Sequence, residues 1–478
     1  MDKNRFIHFI GIGGTGMSGI AQILLELNYK ISGSDIKSGC NTKRLVKKGA
    51  IIFTGHRAEN LSNLDDVGAV VVSSAIPEEN PEVKYARDKK IPIYRRAEVL
   101  GYILNNKFGI AIAGTHGKTT TTSLISMLME AHELNPTVIV GGEVCDFGGN
   151  AKLGGGTYTV VEADESDSSF LHLEPQVIVT TNIEEDHLDY YSGIDQIKTA
   201  FESFFNKIKE GGHIVCCLDN NNIKSMVSSM PKRANIITYG LNPANSPEWL
   251  IIDVRQNGMG VSFELKHNQK SLGRFKLNIP GIHNALNATA AIIVGHQILN
   301  LSLDSLRANL LKFKGVERRF QLIGEVEGIT VIDDYAHHPT EISAVLNTAR
   351  SSFDKRIIAI FQPHRFSRTR HFYEEMAFAL NTADVVILTD IYQASERPIS
   401  GVSSELILNS LQKMGKKNSL IISDIKNIPV YTASIAQRND FIFTIGAGDV
   451  TTISNDIVKR LQEKYSESKY LNPYKTTK

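Results

Sequence analysis

A strand-like apolar run, Phe108–Ala113, passes through Gly114, Thr115, His116 and Gly117 into Lys118, Thr119 and Thr120, and a helix-length segment follows to about residue 134. No other feature limits the fold as strongly. A glycine-containing turn between a strand and a helix aims backbone N–H groups and the positive helix end at one spot, which suits phosphate. The end of the loop, Gly117-Lys118-Thr119, matches a P-loop. There the lysine neutralises β- and γ-phosphate oxygens and the next hydroxyl reaches Mg²⁺. Ile112 stands where the first glycine of the full pattern would be. Residues 114–120 are therefore read as a nucleotide phosphate loop that departs from the common form.

Strands of this kind alternate with helix-length segments along the chain, which predicts α/β architecture with parallel sheets and helical crossovers. The alternation occurs in three blocks. Residues 1–107 carry candidate strands at 6–10, 30–32, 51–53, 69–73 and 91–94. Residues 108–320 carry strands at 108–113, 137–140, 158–162, 177–181, 213–218 and 235–239. Then the texture changes to 249–254, Asn257-Gly258, 261–266 and 274–279. Asn-Gly between alternating strands signals a hairpin, so a small antiparallel flank is expected. Helices at 283–300 and 303–313 close this block. Residues 321–465 carry strands at 329–333, 356–361, 385–389, 420–422 and 441–445. The polar residues 466–478 read as a flexible tail. The expectation is three domains: a Rossmann-like N-terminal domain, a central mononucleotide-binding domain, and a Rossmann-like C-terminal domain.

Net charge excludes little but is informative. With Lys+Arg 52 against Asp+Glu 51, nothing favours nucleic acid or an anionic membrane as a partner. No apolar run nears the ~18 residues of a membrane span. Cys40, Cys145, Cys216 and Cys217 lack metal-ligand spacing and read as buried structural thiols of a reducing compartment. The expected location is the cytoplasm.

Further motifs follow strands. Gly11, Gly13 and Gly16 form G-x-G-x-x-G after strand 6–10, with Gly14 and Thr15 between them. That pattern seats a pyrophosphate on a helix N-terminus, and Asp35 after the second strand is placed to accept from a ribose hydroxyl. NAD(P) and a nucleotide sugar both fit, and a ligand-free glycine turn has the same spelling. Acids follow strand 158–162: Glu162, Asp164, Glu165 and Asp167. Acids at that end of a phosphate-binding sheet are placed to hold Mg²⁺, with Glu162 the first choice, although a solvated acidic turn reads alike. His187, flanked by Glu184, Glu185, Asp186 and Asp189, is a candidate ligand for a second cation or a plain loop histidine. Asn284 and Asn287 lie one helical turn apart and suit the adenine edge, while N-capping would explain Asn284 equally well. In the third block, His337 follows one strand, and Arg365 and Arg368 follow another. The two arginines form a fork for a carboxylate or phosphate.

Together these segments resemble the Mur ligase family over essentially the whole chain. The resemblance rests on 11–21 (GIGGTGMSGIA), 114–122 (GTHGKTTTT), 162–170 (EADESDSSF), 181–189 (TNIEEDHLD), 281–287 (GIHNALN), 333–341 (DDYAHHPTE) and 363–369 (PHRFSRT). The first and sixth resemble its alanine-adding branch. That resemblance implies ATP-dependent ligation of L-alanine to UDP-N-acetylmuramate through an acyl phosphate. In this reading Gly11, Gly13, Gly14, Thr15, Gly16, Asp35, Ser73 and His116 would meet the UDP-sugar. Residues 114–120, Asn284, Asn287 and Arg318 would meet ATP. Thr119, Glu162 and His187 would hold two Mg²⁺ ions, and Lys118, Glu162 and His187 would carry catalysis. His337, Arg365 and Arg368 would hold the amino acid. Sister ligases carry a modified lysine after the His187 motif; here Phe201 holds that place and Lys198 is off register, so no carbamylated lysine is expected. A monomer or weak homodimer is expected. Three other readings stand beside this one: a ligase that recycles peptides onto UDP-N-acetylmuramate, a nicotinamide-dependent oxidoreductase, and a non-catalytic nucleotide sensor. The last two leave the combination of Lys118, Glu162 and His187 without a purpose.

Overall fold

The computed structural model describes residues 2–470 other than 74, 145–148, 189 and 395. Three sheets follow one another along the chain. The first is wholly parallel, in the spatial order Ile51–Thr54, Lys30–Asp35, Phe6–Ile10, Val67–Val72, Ile93–Arg95. Helix Thr15–Glu26 starts directly after the first glycine loop and buries Met17, Ile20, Ile23 and Leu24 against it.

The second sheet has ten strands. Its centre is parallel: Asn235–Gly240, His213–Cys217, Val177–Thr180, Phe108–Ala113, Tyr158–Glu162 and Thr137–Val144 are consecutive neighbours. The expected antiparallel flank exists as Trp249–Asn257, Gly260–His267 and Lys270–Leu277. Its first turn falls one residue later than expected, because Asn257 pairs with Gly260 and Gly258 takes a positive φ of 57°. At the other edge Gly149–Lys152 pairs antiparallel with Thr137–Val144. No strand was expected at these residues. It sits under the first block, where Gln22 Nε2 donates to Ala151 O at 3.0 Å.

The third sheet runs Gln321–Val326, Ile329–Asp334, Phe441–Ile445, Ile357–Phe361, Val385–Leu388, Ser419–Ile421. Only its first pair is antiparallel. Strand Gln321–Val326 is another unforeseen edge: it is half exposed, carries Gly324, and shifts register beside it. The helix expected over 283–300 closes with a π-helical turn at Val294–Ile298. The last helix, Ser454–Tyr470, enters the segment read as a tail; residues 471–478 lie outside the described residues.

Each sheet buries apolar residues on both faces, as covered parallel sheets must. Phe201 belongs to this core. It is fully buried, with its ring 5.2 Å from Phe170, which fits a packing role. Cys216 and Cys217 are buried as expected, while Cys40 is exposed at the start of helix Cys40–Lys47. Cys145 lies outside the described residues. None of the described helices is long and apolar enough to cross a membrane.

Candidate active site

Topology brings the chemistry together. Val177–Thr180, Phe108–Ala113 and Tyr158–Glu162 are adjacent parallel strands, so the loops that leave their C-terminal ends share one rim. Those loops are the phosphate loop, the acid loop and the 181–189 segment.

The phosphate loop is tightly held. Gly114 and Gly117 have φ of 133° and 80°, a region that penalises side chains. A Cβ on Gly114 would strike Thr181 Oγ1, and one on Gly117 would lie 2.6 Å from Asn287 Oδ1. Ile112 is buried within the strand, and turning starts only at Gly114. His116 N donates to Asn182 Oδ1 at 2.7 Å, which ties the loop to its neighbour. Lys118 Nζ donates to Gly114 O at 2.6 Å and to Glu165 Oε1 at 2.7 Å. Burial opposes the charge on Lys118, but Glu165, Glu162 and Asp164 outweigh it and raise its pKa. Burial raises Glu165, with Lys118 and His187 pulling the other way.

Thr119 Oγ1 donates to Glu162 Oε2 at 3.0 Å, and Gly141 N donates to the same oxygen at 2.7 Å. A hydroxyl and a carboxylate at this rim form a hard oxygen set of the kind Mg²⁺ takes. His187 lies beyond, with Nε2 3.8 Å from Glu165 Oε1. Its backbone is left-handed, φ 53°, and Asp186 Oδ1 accepts from its N–H at 2.7 Å. Glu165 thus stands between Lys118 and His187. The sequence displayed it in the acid loop, but nothing there ranked it against its neighbours.

A cleft opens beside the loop between the second and third sheets. Gly117, Thr119 and Thr120 line it with Asn284 and Asn287, and Arg319, Phe320 and Glu341 form the far wall. Asn287 Nδ2 donates to Asn284 Oδ1 at 3.2 Å, so the two amides share one face of helix Ile282–Ile293. Arg318 points elsewhere: its guanidinium donates to Gly446 O and lies 3.3 Å from Asp333 Oδ2. Its neighbour Arg319, passed over in the sequence, is the one that lines the cleft.

The third block reaches the rim through charged groups. Arg368 grips Asp186 with Nη2 2.8 Å and Nε 3.2 Å from Oδ1. Burial would raise Asp186, but Arg368 and the surrounding histidines hold it far below the ordinary range. Thr340 Oγ1 donates to Glu184 Oε2 at 2.7 Å. His116 lies between two acids, Nε2 3.2 Å from Glu184 and Nδ1 3.3 Å from Glu341. Burial opposes its charge, yet these two carboxylates raise its pKa to about 9. His116, Glu184 and His338 offer three donor atoms within 4.8 Å of one another. Within the trio His116 Nε2 pairs with Glu184 Oε2, while the tilted His338 ring lies beside His116 and turns its Nε2 to Glu185 O at 3.2 Å. His337 is held neutral, lowered to about 4 chiefly by burial. Arg365, with Arg368, His187 and Phe372, lines a small hollow at this junction.

The first block meets the rim from the other side. Asp35 Oδ2 accepts from Gly13 N at 2.8 Å, so the acid braces the glycine loop. Helix Thr15–Glu26 begins at Gly14 without a side-chain cap, which leaves its first N–H groups open to a ligand. Ser73 lines a second cleft with Ile76, Arg96, Ser168 and His172, and Arg96 Nη2 lies 3.0 Å from Asp164 Oδ2. The UDP-sugar candidates therefore face the acid loop. His116 lies apart from them, at the junction with the third block.

The chain matches three family descriptions: "Mur ligase family, catalytic domain" over residues 6–108, "Mur ligase middle domain" over 112–295, and "Mur ligase, glutamate ligase domain" over 318–448. It is 44% identical to the UDP-N-acetylmuramate–L-alanine ligase of Geotalea daltonii, over 96% of this chain and 99% of that one. The enzyme of the same name from Desulforamulus reducens is also 44% identical, over 97% and 99%. Among solved structures, the UDP-N-acetylmuramate–alanine ligase of Thermotoga maritima superposes with a TM-score of 0.80 at 30% identity, covering 96% of this chain and 99% of that one. The murein peptide ligase of Psychrobacter arcticus follows at 0.70 and 25%, covering 96% and 98%.

Proposed function

The chain belongs to the Mur ligase family, and from that premise we propose that it joins L-alanine to the lactyl carboxylate of UDP-N-acetylmuramate, with ATP cleaved to ADP and phosphate. This is the first peptide-adding step of bacterial peptidoglycan precursor synthesis, and so of cell-wall growth, cell shape and division. One observation carries the reading. Three adjacent strands deliver the phosphate loop, the acid loop and the His187 loop to one rim, and the His337–Arg368 face of the third block closes on it.

A carboxylate is a poor electrophile, so the lactyl carboxylate first attacks the γ-phosphorus of ATP and ADP leaves. The alanine amine then attacks the acyl phosphate carbonyl carbon. The tetrahedral intermediate collapses, the amide C–N bond stays, and phosphate departs. Two anions must meet in the first step. Lys118 offsets their repulsion, and cations held by Thr119, Glu162 and His187 would add to it. Mg²⁺, when bound, supplies Lewis acidity at the phosphate oxygens. Asn284 and Asn287 take the adenine, and Arg319, which lines the cleft, takes the phosphates in place of Arg318. The UDP diphosphate rests on Gly11, Gly13, Gly14, Thr15 and Gly16, with Asp35 and Ser73 beside it. Arg365 takes the alanine carboxylate, with Arg368, held on Asp186, beside it, and neutral His337 accepts the amine proton. Exclusion of water protects the acyl phosphate, which gives contact between the second and third blocks a purpose.

The division of labour follows the chain: residues 1–107 for the UDP-sugar, 108–320 for ATP, 321–465 for the amino acid and closure. The enzyme works in the cytoplasm as a monomer or weak homodimer. Purified protein with ATP, Mg²⁺ and UDP-N-acetylmuramate should release ADP on adding L-alanine. Turnover only with a peptide would replace this reading with a recycling ligase, and no turnover with either would end it.

A further inference from the structure

Glu341 has more partners at the junction than any role given to it so far requires. It stands in the first turn of helix Pro339–Ser352 and closes a capping box there. Its Oε2 accepts from His337 N at 3.1 Å and His338 N at 3.4 Å. Its Oε1 faces the other way, 3.3 Å from His116 Nδ1 and 3.4 Å from Arg319 Nη1. One carboxylate therefore holds the start of its own helix, the phosphate loop of the second block, and the arginine that walls the nucleotide cleft. The side chain is almost closed to solvent, at 10% exposure. Burial opposes its charge, but His116 and Arg319 keep it ionised well below the ordinary glutamate value.

We propose that Glu341 is a positioning residue: it locks the third block onto the phosphate loop and, through His116 and Arg319, sets both cations against the nucleotide. The proposal rests on the ligase reading above and deepens it. A helix cap alone would not need an ion. Glutamine serves as well as glutamate at the third position of a capping box, so capping explains Oε2 and leaves Oε1 without a function. The partners of His116 make the same point. It faces Glu184 from the 181–189 segment, Glu341 from the third block, and the ring of His338 at 4.8 Å. Lys118 follows on its own loop. Two carboxylates from two different blocks keep one imidazole charged, so that charge depends on both blocks being in contact.

The test is Glu341→Gln, which keeps the size and the cap and removes the charge. Wild-type ADP release with L-alanine is measured first; its absence would count against the ligase reading and not against Glu341. In an active enzyme the variant should melt within a few degrees of wild type, lose about tenfold or more in kcat, and shift the alkaline limb of its pH–rate profile to lower pH. A purely structural residue would leave that limb in place. Wild-type kcat and an unmoved limb would overturn the proposal. His116→Gln combined with Glu341→Gln supplies a second measure. If Glu341 acts through His116, the double variant should be little worse than the weaker single one, and independent multiplicative losses would refute the coupling. Should Glu341→Gln fail to fold, His116→Gln alone decides: loss of kcat together with loss of that alkaline limb supports the lock, and wild-type kcat with the limb in place removes it.

Discussion

Lys118 Nζ lies 2.7 Å from Glu165 Oε1, and both side chains are nearly shut off from water. The lysine that should meet triphosphate thus has a buried carboxylate partner of its own. Nucleotide must share or replace that partner. We expect Lys118→Ala to lower kcat/KM about 10³-fold or more, since it removes a fixed charge from the reacting centre. It should also cost roughly 3 kcal/mol of stability, because buried Glu165 loses its hydrogen-bonded cation and is left with His187, 3.8 Å away. Adding Glu165→Gln should restore most of the stability and none of the activity. Urea unfolding and ADP release measure the two separately, and retained turnover in Lys118→Ala would refute the phosphate role.

Magnesium dependence should centre on Glu162. Glu162→Gln is expected to raise the Mg²⁺ concentration for half-maximal activity about tenfold or more. A subtler change should act in the same direction. A Cβ on Gly141 would lie 2.9 Å from Glu162 Oε2, so Gly141→Ala must displace the carboxylate without altering any proposed ligand. Titrating activity with Mg²⁺ checks both, and an unchanged half-point in both would remove Glu162 from the cation site.

His116 makes stability depend on pH, and the sign is fixed. Its pKa rises from 6.5 to about 9 on folding. Its stabilisation is therefore complete below about 6.5 and is lost as pH rises through about 9. The amount is on the order of 3 kcal/mol. Denaturant unfolding at several pH values between 6 and 10 should show this loss in wild type and not in His116→Gln. Parallel curves for the two proteins would contradict it.

Arg368→Lys should not behave as a conservative change. Lysine cannot reproduce the planar two-nitrogen grip on Asp186. We expect the KM for L-alanine to rise about tenfold or more while the KM for UDP-N-acetylmuramate stays within about twofold. Equal effects on both would show that Arg368 serves the overall fold rather than the amino-acid side.

Much of this was readable in the residues, for identifiable reasons. Phe6–Ile10, Phe108–Ala113, Tyr158–Glu162 and Phe441–Ile445 fell where expected, because buried parallel strands are continuous apolar runs bounded by glycine or acid. Gln321–Val326 and Gly149–Lys152 did not announce themselves. Both are edge strands, and the first is half exposed with a glycine inside. At the site, the sequence displayed residues attached to a motif but could not pair them. Asp186 and Arg368 are separated by 182 positions, and only the third block docked on the second brings them together. For the same reason Glu341 lay in view inside a quoted motif with no role. Arg318 and Arg319 differ by one position, and the choice between them is made by a backbone turn at Arg318, φ 58°, that no spacing rule encodes.

The nucleotide cleft described above takes Thr119 and Asn287 from one block and Arg319 and Glu341 from another. Neither block by itself is an ATP pocket. A chain in which they stand apart holds fuel by one side only, with its triphosphate open to solvent yet missing half of the charges that would help to split it. Idle enzyme should therefore waste little ATP on water. Separation of the two blocks would act as a safety catch, set only when the contacts of Arg368 with Asp186 and of Glu341 with His116 are broken.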